Sequence, residues 1–155
     1  MKKIVVSMVL VALLLTTSSW AKVGRFTLGA LMGNVNDGRF SMLQGKYGLE
    51  DNIALEARIQ LGTLYSRLTG SANAQMALIS YEFDIGREKI FPYVDLGYSF
   101  WTSGGSSATN TSSIVGGGGV NFYLTDRVAL FLDVLLASIG SVSGSGVSLG
   151  GNFTF

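Results

Sequence analysis

The 155-residue sequence predicts an all-β fold: an eight-stranded antiparallel up-and-down barrel crossing a membrane, preceded by a cleaved signal peptide. Three observations predict it. Apolar residues alternate with small or polar ones along most of the chain, which is the period of a strand. Hydrophobic residues make up 48 % of the chain and charged residues only 14 %, against about 25 % charged in a soluble domain. No run, however, reaches the roughly 18 apolar residues of a membrane helix. Finally, the chain begins with the three parts of an export signal.

That signal comes first in order. Met1-Lys2-Lys3 is basic, Ile4 to Leu15 is apolar apart from Ser7, and Ser19 and Ala21 place small residues at −3 and −1 of a cut. Cleavage is expected between Ala21 and Lys22, because the apolar run is too short to stay in a bilayer as an anchor. The chain then divides into 1–21, the signal peptide, and 22–155, a single barrel domain. The absence of Cys leaves neither a disulfide nor a lipid-modified cysteine. Without Lys2 and Lys3, nine basic residues face ten acidic ones. No basic patch points to nucleic acid.

Eight segments of strand length follow, at 23–33, 39–48, 53–64, 74–84, 91–102, 114–124, 128–138 and 146–155. The first places Arg25 and Leu31 on its inward face, and the second Met42 and Lys46. The third is the clearest: Ile53, Leu55, Ala57, Ile59 and Leu61 face one way, and Ala54, Glu56, Arg58, Gln60 and Gly62 the other. On a helix Glu56 and Gln60 would share a face with Ile53; on a strand the division is clean. The fourth turns Met76, Leu78 and Glu82 inward. The fifth sets Val94, Leu96, Tyr98 and Phe100 against Tyr93, Asp95, Gly97, Ser99 and Trp101. The second and sixth are weaker; in the sixth, Gly116–Gly119 alone would be a loop and its neighbours carry the assignment. The seventh sets Val128, Leu130, Leu132, Val134 and Leu136 against Ala129, Phe131, Asp133, Leu135 and Ala137. The eighth sets Val147, Leu149, Gly151, Phe153 and Phe155 against Ser148, Gly150, Asn152 and Thr154.

The connectors alternate in kind. Gly48–Asn52, Asp84–Lys89 and Leu124–Arg127 are tight and charged; Gly33–Gly38, Tyr65–Asn73, Thr102–Ser113 and Ser138–Ser145 are longer and rich in Gly, Ser, Thr and Asn. This predicts short turns at one end, with the termini, and longer loops at the other. A soluble barrel of the lipocalin type would alternate too, but its exterior would be densely charged. Here the polar face carries about one charge per strand and is otherwise small, as the crowded inside of a narrow barrel requires. The apolar face suits lipid, and Tyr47, Tyr81, Phe83, Phe100, Phe122, Phe153 and Phe155 lie near strand ends on it, as interfacial aromatics do.

Three stretches carry a resemblance: Phe91–Tyr98, Gly117–Asp133 and Leu149–Phe155. They resemble the outer-membrane β-barrel domain family, which includes the OmpA transmembrane domain and OmpX. The resemblance implies an eight-stranded barrel in the bacterial outer membrane, reached through the periplasm. It also implies that an aromatic C-terminus, here Phe155 with Phe153, Leu149 and Val147 before it, is the signal read by the barrel-assembly machinery. Gly151 departs from that alternation. Asp133 occupies the place of a frequent inward Glu, and Val134 departs from the Tyr that commonly follows it. Outer-membrane lipid and lipopolysaccharide would surround the protein, and a monomer is expected. With no sequence beyond Phe155, a wall-binding domain is not expected.

The inward charges are Arg25, Lys46, Glu56, Arg58, Glu82, Asp95 and Asp133. Eight strands leave an interior just wide enough for side chains, so these residues are expected to pair in a buried network, because an unpaired buried ion costs several kcal/mol. Bulky neighbours such as Trp101 or Phe131 are expected to fit against the small residues of Gly116–Gly119. With no His and no Cys, the familiar nucleophiles and zinc sites are missing; an enzyme, a cofactor and a metal are not expected. The expected role is structural or at the cell surface. A narrow channel or hydrophobic-ligand conduit, motivated by inward Leu31, Met42, Met76, Leu78 and Leu135, and a soluble periplasmic lipocalin-like binder are the alternatives.

Overall fold

The computed structural model describes residues 23–35, 38–61, 64–66, 70–104, 110–139 and 142–155. The signal-peptide residues, with the cut between Ala21 and Lys22, lie outside them. Among the described residues the chain forms nine strands: β1 (Phe26–Val35), β2 (Gly38–Glu50), β3 (Ile53–Gln60), β4 (Leu64–Ser66), β5 (Gly70–Glu82), β6 (Ile90–Gly104), β7 (Asn110–Tyr123), β8 (Val128–Ile139) and β9 (Val142–Thr154). Each pairs antiparallel with its neighbours. β1 pairs with both β2 and β9, so the sheet has no free edge. β4 continues the stave begun by β3, since both lie between β2 and β5. The result is a closed eight-stranded antiparallel barrel. Closure satisfies the condition a bilayer imposes, because hydrocarbon offers no partner to an edge N–H or C=O.

Side-chain burial follows the predicted alternation. β3 runs from half-buried Ile53 through buried Ala54, Glu56 and Arg58, with Leu55, Ala57 and Ile59 exposed between them. β2, which alternates weakly in sequence, is regular from Gly38 to Gln44 and is interrupted only by a register shift between Gly48 and Glu50. The outward face is apolar: Leu96 is 64 % and Leu132 45 % exposed, far more than a water-soluble fold leaves on large aliphatic residues in bulk. Among described strand residues, the outward charges are Arg39 and Glu50, both within two positions of a strand end. Thirteen tilted residues, as in β5, reach roughly 30 Å along the barrel axis, enough for an apolar band of about 25 Å.

The ends differ from expectation. Stretches with loop-like composition are largely strand: β1 and β2 extend to residues 35 and 38, β5 begins at 70, β6 and β7 extend to 104 and 110, and β8 and β9 to 139 and 142. Ser, Thr, Gly and Asn favour turns when alone, but a registered partner supplies the ladder bonds and context outweighs propensity. The longest described connection, Phe83–Lys89, is instead at the end with the termini. There Asp84 accepts a hydrogen bond from Gly86 N–H (2.8 Å), and Gly86 adopts φ +71°, a turn that suits glycine. In the neighbouring turn Thr125 Oγ1 accepts from the N–H groups of Arg127 and Val128.

Candidate functional site: the charged lumen

The inward face of each strand delivers its polar residues to a shared interior, and Arg58 is at its centre. β3 places Glu56 and Arg58 two residues apart, hence on the same face. Lys46 is the cross-strand partner of Glu56 on β2, and its ammonium lies 2.9 Å from a Glu56 oxygen. Arg58 has no exposed side-chain surface. It pairs with Glu56 through Nε, with Asp133 of β8 through Nη1 at 2.5 Å, and with Asp95 of β6 through Nη2 at 2.9 Å. One guanidinium therefore holds three carboxylates from three strands. Its planar fork of donors suits that task as a lysine ammonium would not.

Tyr93 belongs to the same cluster, although its sequence position marks it only as an inward bulky residue. Its hydroxyl donates to Asp133 Oδ1 at 3.1 Å, and its ring lies 4.9 Å from Lys46 Nζ. Gly119 makes this possible. It is the cross-strand partner of both Tyr93 and Asp133, so the phenol crosses the space over it. A methyl on Gly119 would come within 2.8 Å of the Tyr93 oxygen and would also collide with the Leu132 carbonyl. Ser148 Oγ, on β9, approaches Asp133 Oδ2 at 3.5 Å. The bulky residue fitted to the glycine run is thus Tyr93, with Leu135 beside Gly117. Phe131 instead packs on its cross-strand partner Gly150. The register of β6, β7, β8 and β9 makes that choice, and no single strand shows it.

Two predicted members lie apart. Arg25 is half-buried before β1, where its carbonyl accepts from Gly48 N–H, and it enters none of these ion pairs. Its strand has not yet begun, so it sits at the mouth. Glu82 is buried near the end of β5 and accepts a hydrogen bond from Asn121 Nδ2 at 2.5 Å, without an ion-pair partner among the described residues. Asn121 was not legible as a site residue; inward parity on the weak sixth segment is its only signal.

The network divides the lumen. Toward the end away from the termini, Leu31, Phe40, Met42, Ala74, Met76, Leu78, Trp101, Val115, Phe131 and Leu135 form one buried apolar cluster with Tyr93. Trp101 Nε1–H donates to Ser99 Oγ at 2.8 Å, and Ser99 and Ser113 are linked hydroxyl to hydroxyl at 2.9 Å. Toward the turns, Phe91 and Tyr123 meet edge to face at 5.5 Å, with Ala129 beside them. The C-terminal residues Val147, Leu149, Phe153 and Phe155 all point outward. Phe155 N–H donates to the Phe26 carbonyl at 2.9 Å, and its ring packs 5.1 Å from that of Phe153 and 6.4 Å from that of Phe26.

Neither a protein-family model nor a curated protein sequence matches the chain. Solved structures do. The N-terminal β-barrel domain of Pseudomonas aeruginosa OprF superposes with a TM-score of 0.74 at 15 % identity, covering 86 % of this chain and 98 % of that one. Ail, the attachment invasion locus protein of Yersinia pestis, gives 0.61 at 16 % identity over 86 % and 99 %. Neisserial surface protein A gives 0.61 at 18 % identity over 84 % and 96 %. The chain therefore has the closed eight-stranded antiparallel fold of these small outer-membrane β-barrels.

Proposed function

We propose that this protein resides in the bacterial outer membrane as a non-catalytic barrel with a structural role in that membrane, its longer strands carrying short hairpins toward the cell surface. One observation carries the reading: among the described residues the lumen is packed at three levels, with an apolar cluster above, Arg58 and its three carboxylates in the middle, and the Phe91–Tyr123 pair at the turn end. A conduit needs a continuous wet path, and the Arg58 ion pairs packed against Met and Leu stand across the middle of the described lumen. The inward Leu and Met residues that would line a hydrophobic-ligand conduit are spent on this packing. Lipid and lipopolysaccharide would surround the apolar exterior, the barrel-assembly machinery would recognise the strand ending in Phe155, and a single copy closes its own sheet without a partner. Planar-bilayer recordings of the purified protein test the reading. Membranes should stay silent or show rare brief openings; steady, large conductance would refute it.

A further inference from the structure

The charges outside the lumen are sorted by end. Among the described residues, every carboxylate outside the lumen lies at the turn end: Glu50, Asp51, Asp84, Glu88 and Asp126, all exposed. At the opposite end the exposed outward positions of the strands include Arg39 and the amides and hydroxyls of Asn34, Ser41, Asn73, Gln75, Thr102 and Ser112, with no carboxylate among the described residues. We propose that this end binds a phosphorylated glycolipid of the surrounding leaflet, with Arg39 on a phosphate and Asn34 beside it on the sugar.

Register places the two side chains together at the edge of the apolar band. Along β1 the outward residues Phe26, Leu28, Ala30 and Met32 are apolar, and Asn34 ends the run. From Phe26, among the turn-end aromatics, to Asn34 the strand rises roughly 20 Å, at about 3.3 Å per residue and a tilt of about 40°. Asn34 and its cross-strand partner Arg39 therefore stand where hydrocarbon gives way to headgroups. Side chains paired in this way start about 5 Å apart, so one headgroup can meet both.

The chemistry of the pair selects the ligand. Arg39 enters no ion pair among the described residues. An arginine at this level lays its stem on the apolar band and turns its head toward the headgroups. Its planar fork of donors matches two oxygens of a phosphate. The neighbouring amides and hydroxyls both donate and accept, as sugar hydroxyls require. A soluble anion would meet Arg39 alone. A lipid held in the same leaflet brings phosphate and sugar to the pair together, at high effective concentration. The exposed acids of the turn end give the other leaflet no comparable match.

The test measures binding of lipid A, a phosphorylated diglucosamine lipid, to the barrel purified in neutral detergent, by native mass spectrometry. Arg39→Gln should weaken binding about tenfold and Asn34→Leu about threefold. Arg87→Gln, on the exposed turn at the other end, should leave it unchanged, and phosphatidylglycerol and inorganic phosphate should compete poorly. Equal affinity of Arg39→Gln and the wild type overturns the proposal. So does an equal loss in Arg87→Gln, which would show charge attraction without a site, or displacement of lipid A by equal amounts of phosphatidylglycerol or phosphate, which would leave the sugar no part. Should Arg39→Gln fail to fold, undiminished binding in Asn34→Leu also overturns it. The proposal rests on residence in the outer membrane, and the two fail separately. Protein recovered in the soluble fraction of broken cells ends that reading, whereas protein in the outer-membrane fraction whose affinity ignores Arg39 ends this inference alone.

Discussion

Replacing Arg58 by methionine asks how much the central network holds the barrel together. Arg58 is fully buried against Glu56, Asp95 and Asp133. Its loss leaves Glu56 with Lys46, but Asp95 and Asp133 lose their ion-pair partner. Asp133 keeps the Tyr93 hydroxyl at 3.1 Å and a long contact to Ser148; Asp95 is the more stranded of the two, with Oδ1 already lacking a donor. Removing one partner of a buried pair costs about 3–5 kcal/mol, mostly through the charge left behind. The same reasoning makes the cost recoverable. Adding Asp95→Asn and Asp133→Asn to Arg58→Met removes the stranded charges, and stability should return to within about 2 kcal/mol of the parent. Urea titration in lipid vesicles measures this, with the folded fraction read by heat-modifiable gel mobility and by fluorescence of Trp101, the one tryptophan of residues 22–155. A loss below about 1 kcal/mol in Arg58→Met, or a triple variant no better than the single one, would refute the reasoning.

Three further outcomes are expected. Spin labels at Leu55, Leu96 and Leu132 should sense lipid, and Leu132→Arg should destabilise the barrel in bilayers by about 2–4 kcal/mol; labels that sense water there would place the outward face in solvent. Gly150→Ala would drive a methyl into the Phe131 ring and to within 2.5 Å of the Ala30 carbonyl. It should cost about 1–3 kcal/mol, partly regained with Phe131→Leu, whereas a neutral Gly150→Ala in urea titration would show that β9 can shift. Deleting Phe155 removes the Phe26 carbonyl bond, the stack with the Phe26 ring and the edge-to-face contact with Phe153; assembly into vesicles should slow more than after a deletion within Thr102–Ser113, and equal rates would remove the C-terminal claim.

Period-two alternation by itself determined the face each residue takes, and with it the barrel class. That information is local: Leu55 out and Glu56 in follow from neighbouring positions on one strand, whatever the partner. The sparse charge then told the two faces apart, the small and charged one for the crowded lumen and the apolar one for the exterior. Tertiary structure decided which inward residues meet. Arg58 reaches Asp95 and Asp133, 37 and 75 residues away, only after closure and strand register bring β3, β6 and β8 around one axis. Register also gave Tyr93 its path over Gly119, left Arg25 at the mouth and separated Glu82 with Asn121. It converted loop-like Ser and Gly stretches into ladder, since the hydrogen bonds that hold them extended come from a partner strand. A side chain's face is a property of its own strand; its neighbours across the lumen are a property of the whole closed sheet.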